Sequence, residues 1–259
     1  MLVIDNYALD TIWHQKLRPF ADKIMVIDDL ANKQFDCDLL LNQNLGIQRN
    51  KYKNKVPESC KLLLGCDYAL LREEFLELRK KALTKRKNTK NIKNILISMG
   101  GSDIKNVTYS ILRQLSDEYN IVVVLGKESP HNDVIINYAK SKNIKVIVSA
   151  YNMAELMFNA DLSIGASGST NWERLFLGLP SLVFTVAENQ KEFAKNLDNL
   201  GLIRLLGDAS DKKSIDKINK NLLSINDLSD WSQRCFNSCN CDGASKIVEI
   251  VIGDQVSKG

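Results

Sequence analysis

The 259-residue sequence has no long apolar run and no export signal. A helix that crosses a bilayer needs roughly 20 consecutive apolar residues, and no segment reaches that length. The first residues, Met1 to Asp5, lack the basic start and the small-residue cleavage site of a secretory signal. We therefore expect a cytoplasmic protein without a membrane partner.

Patterns typical of disulfide scaffolds and metal centres are also missing. The six cysteines lie at positions 37, 60, 66, 235, 239 and 241, and the only histidines are His14 and His131. This uneven spacing differs from the dense framework of small secreted domains, so we expect free thiols. Cys235, Cys239 and Cys241 have neither C-x-x-C spacing nor a histidine nearby, so we expect no metal.

The charge balance gives little support for nucleic-acid binding. Lysine and arginine number 35 against 31 acidic residues, a net charge of +4. The one dense basic stretch, within residues 79–93, contains no aromatic residue on which a base would stack. We interpret this stretch as solvated, and we expect no nucleic-acid partner.

Short apolar runs alternate with segments of helical period along the whole chain. The predicted strands are Leu2 to Asp5, Ile24 to Asp28, Leu39 to Asn42, Lys61 to Leu64, Ile95 to Ser98, Ile121 to Leu125, Lys145 to Val148, Leu162 to Ile164, Leu182 to Thr185 and Ile203 to Leu206. They are apolar without alternation, as in parallel sheets that helices cover on both faces. The sequence therefore predicts an α/β fold.

Two lobes are predicted within this fold. Residues 94–254 alternate regularly and indicate a complete doubly wound domain of the Rossmann type, after a linker at 84–93. Residues 1–83 contain four predicted strands but one clear crossover helix, Asp10 to Arg18, with His14 facing outward. We interpret them as a partial Rossmann-like lobe that exposes an apolar sheet edge and self-associates.

The first strand of the second lobe leads directly into a glycine pair. Gly100, Gly101 and Ser102 follow this strand, and the predicted helix Asp103 to Leu115 comes next. Glycines let a ligand approach the backbone, and free N–H groups at a helix start favour an anion such as a diphosphate. An ordinary turn in which Asp103 caps the helix uses the same residues, and both interpretations stay open.

A second strand-to-helix junction carries small and hydroxylic residues. Gly168, Ser169 and Thr170 precede Glu173, which lies one turn into the next helix. Amides and hydroxyls of this kind hold phosphate oxygens, and an acidic residue accepts hydrogen bonds from ribose. A capping box explains the same pattern, and the two readings are compatible.

These motifs resemble the nucleotide-binding half of the GT-B fold, as in the MurG glycosyltransferase. The sequence is more similar to the PseG family, the UDP-2,4-diacetamido-2,4,6-trideoxy-β-L-altropyranose hydrolases of pseudaminic acid biosynthesis. The segments that carry this resemblance are VIDDLANKQFDCDLLLNQN at 26–44, LLLGCDYALLREEF at 62–75, SMGGSDIKN at 98–106, ASGSTNWERLFLGLPSL at 166–182 and DGASKIVEIV at 242–251.

The resemblance implies a UDP-sugar site with no cofactor and no metal. It assigns the diphosphate to Gly100, Gly101 and Ser102 and to Gly168, Ser169 and Thr170, and the ribose to Glu173. It assigns the uracil to Tyr151 through Met153, although core packing explains Met153 equally well. It assigns the sugar to Asn189 and Gln190, whereas Arg72 reads as a surface charge on a hinge helix.

The implied reaction is hydrolysis of the bond between the anomeric carbon and UDP, which needs a base beside the attacking water. The family's base is a histidine in a G-x-G-H loop, which this sequence does not contain. His131, in a loop after a predicted strand, is a better substitute than His14. The catalytic residues therefore stay unassigned.

Three functions remain open at this point. The first is a hydrolase of which this chain is an incomplete product, read from an internal methionine or truncated, that binds UDP with little or no activity. The second is a non-catalytic module that binds a UDP-sugar. The third is a GT-B glycosyltransferase that uses the same UDP site.

Overall fold

The computed structural model describes residues 1–142, 144–239 and 242–256. It divides into two compact units. The first unit, unit 1, combines Met1–Leu71 with the described part of Cys241–Gly259, and the second, unit 2, is Arg72–Asn240.

All ten predicted strands are confirmed, and their ends agree to within two residues. The strands are β1 (Leu2–Ile4), β2 (Ile24–Ile27), β3 (Leu39–Asn42), β4 (Lys61–Leu64), β5 (Asn94–Ser98), β6 (Asn120–Leu125), β7 (Lys145–Val148), β8 (Leu162–Ala166), β9 (Ser181–Thr185) and β10 (Arg204–Asp208).

Helices connect most of these strands. The α-helices are α1 (Thr11–Leu17), α2 (Glu73–Lys87), α3 (Val107–Leu112), α4 (Asn132–Lys142), α5 (Met153–Asn159), α6 (Thr170–Phe176), α7 (Gln190–Asn199), α8 (Lys212–Leu223), α9 (Ser229–Ser238) and α10 (Gly243–Val256). Short 3-10 helices occupy Arg18–Phe20, Arg49–Tyr52 and Cys66–Tyr68. No helix of the described residues is long and apolar enough to cross a bilayer.

Unit 1 is built on a parallel four-stranded sheet in the order β1-β2-β3-β4. Ile24, Val26 and Leu40 pack on one face of this sheet. Leu39 and Leu41 pack on the other face with Ile247 of α10. Helix α10 therefore groups with unit 1, whereas the sequence predicted residues up to 254 as part of the second lobe.

Unit 2 is built on a parallel six-stranded sheet in the order β10-β9-β8-β5-β6-β7. Strands β5, β6 and β7 progress toward one edge of the sheet, and β8, β9 and β10 progress toward the other. The order reverses between β5 and β8, which pair directly. This arrangement confirms the predicted doubly wound domain, and such reversals are where ligands bind in open α/β sheets.

The structure divides the chain at Leu71, not at the linker expected at 84–93. Some basic side chains of α2 are bonded within unit 2 instead of being solvated, whereas Lys80, Lys81 and Lys87 are exposed. Lys85 Nζ donates to the carbonyls of Phe158 and Asn159 at the end of α5, at 2.7 and 2.9 Å. Arg86 is 1% exposed and donates to the carbonyls of Met157, Ala160 and Leu177. Cations suit the carbonyl ends of helices, which explains why a basic segment here is part of a folded unit.

His14 is fully buried, which corrects the prediction that it faces outward. Helix α1 begins as predicted, because the Asp10 carboxylate accepts the N–H groups of Ile12 and Trp13. Its buried side, however, includes His14, whose ring stacks on Phe35 at a centroid distance of 6.0 Å. Burial lowers the pKa of His14.

The described cysteines, Cys37, Cys60, Cys66, Cys235 and Cys239, carry reduced thiols, as predicted. Cys241 lies outside the described residues, so the predicted absence of a metal at its cluster is untested there.

Candidate functional site

The two predicted ligand loops leave the sheet of unit 2 side by side. Ser98, the last residue of β5, is in register with Gly165 of β8. Parallel neighbours end at the same edge of a sheet, so the loop at 99–106 and the loop at 167–169 begin next to each other at the carboxyl edge. Gly100, Gly101, Ser102, Gly168, Ser169 and Thr170 are thus brought to the strand reversal.

The first loop adopts a different shape from the predicted helix start. Helix α3 begins at Val107, four residues after Asp103. The buried Asp103 carboxylate accepts the N–H groups of Val107 and Thr108 at 2.9 and 3.0 Å. Of the two interpretations left open by the sequence, the structure therefore favours capping by Asp103, and Gly100 to Ser102 stay exposed in this loop. Gly100 has a φ of +92°, which an L side chain rarely adopts.

The loop after β6 packs closely on the first loop. A β-carbon on Gly126 would lie 1.7 Å from the carbonyl oxygen of Gly101. His131 Nε2 lies 2.9 Å from the carbonyl oxygen of Ile104. This contact uses one ring nitrogen of His131 to hold the first loop, and it leaves Nδ1 as the only nitrogen for other chemistry.

A buried polar network supports the second loop. Asn171 Nδ2 donates to Ser167 Oγ at 3.1 Å, and both residues are at most 1% exposed. Gln190 approaches from α7, since its Nε2 lies 3.9 Å from the position of a β-carbon on Gly168. Gln190 Oε1 also accepts the N–H of Val186 at 2.9 Å. Gln190 therefore joins the second loop, whereas Asn189 is exposed at the start of α7.

Glu173 is linked to the start of α5 through two residues of the α2 region. Arg72 Nη2 lies 3.2 Å from Glu173 Oε1, and Arg72 Nη1 lies 2.7 Å from Glu74 Oε1. Glu74 Oε2 in turn accepts the N–H of Ala154, the residue after Met153, at 3.2 Å. Burial raises the pKa of Glu173, and the charge and hydrogen bond of Arg72 oppose that rise.

Arg72, predicted to be a surface charge, is half-exposed and pairs with Glu173, and Glu74, for which no role was predicted, links this pair to α5. The available signal was their place in the LLLGCDYALLREEF segment, which carried part of the family resemblance.

Tyr151, which was predicted to line the uracil pocket, follows the outermost strand β7 and is 89% exposed. Met153 is half-buried.

At least two clefts open on the described residues of unit 2. The smaller, of about 240 Å³, is lined by Met99, Ser102, Asp103, Ile104, Lys105, Val107, Val186 and Ala209. The larger, of about 490 Å³, lies between α3 and α8 and shares only Lys105, Val107 and Ala209 with the smaller. Only the smaller cleft includes a residue of the predicted site, Ser102.

Unit 1 has a polar carboxyl edge of its own, which the sequence analysis also missed. Tyr52 donates its hydroxyl hydrogen bond to the Asp28 carboxylate at 2.7 Å and accepts one from Asn42 Nδ2 at 2.8 Å. Burial raises the pKa of Tyr52. The Tyr7 hydroxyl donates to Asp29 at 2.8 Å, and burial together with Asp29 raises the Tyr7 pKa to about 12.

Comparison with known proteins agrees with this architecture. Residues 73–233, nearly the whole of unit 2, match the glycosyltransferase family 28 C-terminal domain. UDP-2,4-diacetamido-2,4,6-trideoxy-β-L-altropyranose hydrolase of Campylobacter jejuni is 31% identical over 205 residues, which are 78% of this chain and 72% of that protein. The chain belongs to the PseG family and carries a glycosyltransferase family 28 C-terminal domain.

This PseG-family chain spans only part of the length of two other relatives. Uncharacterized protein MJ1062 of Methanocaldococcus jannaschii is 35% identical over 74% of this chain, which spans 41% of that protein. Spore coat polysaccharide biosynthesis protein SpsG of Bacillus subtilis is 30% identical over 80% of this chain and 62% of its own length.

Solved structures confirm the predicted GT-B-type fold of this PseG-family chain. MurG of Acinetobacter baumannii has a TM-score of 0.62 at 16% identity and covers 94% of this chain and 70% of its own. Spinosyn rhamnosyltransferase SpnG, solved with thymidine diphosphate, has a TM-score of 0.58 at 13% identity over 91% of this chain and 75% of its own.

Proposed function

We propose that unit 2 binds the UDP portion of a nucleotide sugar, and that the protein hydrolyses UDP-2,4-diacetamido-2,4,6-trideoxy-β-L-altropyranose to UDP and the free sugar. The observation that carries the proposal is that two glycine- and hydroxyl-containing loops leave the sheet from the paired residues Ser98 and Gly165, at the strand reversal between β5 and β8. The named C. jejuni relative supports the choice of substrate.

Each part of the nucleotide sugar has a proposed place. The diphosphate lies against the exposed backbone of Gly100 to Ser102 and against Gly168 to Thr170, whose amides and hydroxyls donate to its oxygens. The Glu173 carboxylate accepts the ribose hydroxyl hydrogens. The uracil lies toward Met153 and Tyr151, and the sugar toward Asn189 and Gln190.

In the reaction, the oxygen of a water attacks the anomeric carbon while the bond from that carbon to the UDP oxygen breaks. UDP leaves with the bonding electrons, and the proton of the water passes to a base. Groups that donate to the diphosphate stabilise the charge that builds up on the departing UDP. Binding energy at the two loops therefore serves the chemical step as well as affinity.

A second candidate is UDP-sugar binding without hydrolysis, and the placement of the two histidines favours it. His131 is engaged with the Ile104 carbonyl, and His14 is buried beside Phe35. His14 belongs to unit 1, and only Nδ1 of His131 is left to act as a base beside the first loop.

Titration calorimetry with UDP tests the binding site. We expect a Kd in the micromolar to millimolar range, and Glu173→Ala should weaken binding by about 1–3 kcal/mol because ribose donors lose their charged acceptor. Glu118→Ala is the matched control, since Glu118 is exposed and precedes β6 at the opposite edge of the sheet. Unchanged affinity in Glu173→Ala would remove Glu173 from the site.

A turnover assay with the UDP-sugar and water alone separates the activities. A hydrolase releases UDP and free sugar in equal amounts, whereas a binding module leaves the donor intact. A glycosyltransferase also leaves most donor intact until a sugar acceptor is added. Binding of UDP without release would therefore favour the second candidate.

A further inference from the structure

Arg174 is a buried arginine directly beneath the second loop. It lies in the second turn of α6 and is 1% exposed. Its Nη1 donates to the carbonyl of Ala166 at 3.1 Å and to Asn171 Oδ1 at 3.2 Å. Since Asn171 also donates to Ser167, one network joins the guanidinium to both ends of the loop.

The guanidinium lies at the strand reversal itself. A β-carbon on Gly165 would be 2.3 Å from Arg174 Nη2 and 2.4 Å from the carbonyl oxygen of Ser98. Ser98 and Gly165 are the paired residues from which the two loops depart. Only glycine at position 165 leaves room for the Arg174 side chain, because a β-carbon there would overlap the guanidinium.

Among the described residues of unit 2, no carboxylate pairs closely with the Arg174 guanidinium. Its hydrogen-bond acceptors are a carbonyl and an amide, and within the described part of the chain its Nε is buried without a partner. The neighbouring Glu173 attracts it, but the Glu173 carboxylate is paired with Arg72. Burial lowers the pKa of Arg174 to about 10, so the side chain is still charged at neutral pH.

A buried charge without a counter-ion is costly, and proteins normally pair it or bring an opposite charge beside it. We propose that Arg174 is a positioning residue that supplies a fixed positive charge under the second loop, and that the diphosphate of the bound nucleotide is its counter-ion. Arg174 acts without touching the ligand, through its field and through the loop carbonyl and amide that it holds. This inference rests on the proposed UDP site.

If Arg174 acts through its charge, the loss of affinity in a variant depends on the charge of the ligand, whereas a purely structural role predicts no such dependence. An attraction in a poorly solvated site grows with the number of negative charges on the ligand. Loss of the Arg174 charge should therefore weaken UDP most, UMP less and uridine least. A role in folding alone would weaken all three ligands by a similar factor.

The test measures Kd values of uridine, UMP and UDP for the full chain and for Arg174→Met and Arg174→Lys. We expect Arg174→Met to weaken UDP by about tenfold or more and uridine by less than about threefold, while Arg174→Lys keeps most of the UDP affinity. Arg86→Met is the matched control, because Arg86 is equally buried but bonds carbonyls that precede β8 and β9. Arg86→Met should leave the ratio of the Kd of UDP to the Kd of uridine unchanged.

A second variant covers the case in which Arg174→Met does not fold. Asn171→Asp has almost the same shape and places a carboxylate at the acceptor of Arg174 Nη1. It should lower UDP affinity relative to uridine by neutralising the arginine. Equal weakening of all three ligands, or no change in either variant, would overturn the role of Arg174. Failure of the unmodified chain to bind UDP would instead overturn the proposed function.

Discussion

The Arg72 guanidinium lies 3.2 Å from the Glu173 carboxylate, and both side chains belong to unit 2. Burial favours the protonated form of Glu173, whereas Arg72 favours the ionised form. An ionised carboxylate only accepts hydrogen bonds, whereas a protonated carboxyl group also donates one through its O–H. The ion pair therefore keeps the proposed ribose acceptor in its useful state before a nucleotide arrives.

We predict that Arg72→Ala makes UDP binding more sensitive to acid. Without the arginine, the pKa of Glu173 rises further, so its carboxylate is protonated at a higher pH. Affinity for UDP should then begin to fall at a higher pH than in the unmodified chain. Calorimetry between pH 5 and 8 measures this shift, and Arg72→Lys, which keeps the charge, should restore most of it. Parallel pH profiles for the unmodified chain and Arg72→Ala would contradict the prediction.

A second prediction concerns His14 and the stability of unit 1. Burial lowers its pKa, while Asp36 and Asp10 favour the charged form and Arg18 disfavours it. A lowered pKa means that the folded state prefers the neutral ring. The stabilising contribution is therefore present above the unfolded pKa of about 6.5 and is lost as the pH falls below it.

His14→Phe tests this dependence while keeping a flat ring against Phe35. The unmodified chain should lose more stability between pH 8 and pH 5 than the variant, because only histidine must take up a proton on unfolding. Urea unfolding at the two pH values gives the comparison. The same acid sensitivity in both proteins would show that His14 does not cause it.

A third prediction uses two glycines of neighbouring loops. Gly126→Ala should cost about 1–3 kcal/mol of stability, because its β-carbon would meet the Gly101 carbonyl at 1.7 Å. Gly101→Ala is the contrasting variant, since nothing lies within 4 Å of its β-carbon. It should keep the melting temperature and weaken UDP, because the added methyl group occupies ligand space. Thermal melts and calorimetry separate the two effects, and a large loss of stability in Gly101→Ala would count against this reading.

A fourth prediction concerns the limits of the nucleotide-binding unit. A fragment of residues 72–240 should fold and bind UDP, whereas a fragment of residues 94–240 should be much less stable. The shorter fragment removes α2, and with it the hydrogen bonds from Lys85 and Arg86 to backbone carbonyls. Hydrogen bonds to charged groups typically contribute about 1.5–3 kcal/mol each, so the loss of several should be large. Circular dichroism melts of both fragments make the comparison.

The strands and the ligand loops could be predicted because their signals are local. Buried parallel strands are short apolar runs, and β5 and β8 are each followed by small residues at the end of such a run. The strand pairing that brings Ser98 beside Gly165 then follows from the doubly wound pattern.

What could not be predicted depends on partners far away in the sequence. The burial of His14 depends on Phe35, and the bonding of Arg86 depends on carbonyls about 70 to 90 residues later. Ile247 packs on strands of unit 1 more than 180 residues earlier. In each case, composition indicated a polar or terminal segment, and only the tertiary structure supplies the compensating contact.

The pairing of β5 with β8 also has a consequence during protein synthesis. Once β5, β6 and β7 have left the ribosome, the edge of β5 at Ile95–Ile97 stays unpaired until β8 emerges, and β8 begins more than 60 residues after the end of β5. Unpaired strand edges of this kind pair with other chains and so promote aggregation. Slow translation across residues 149–162 would therefore lengthen the interval in which the unpaired edge of β5 is open to aggregation.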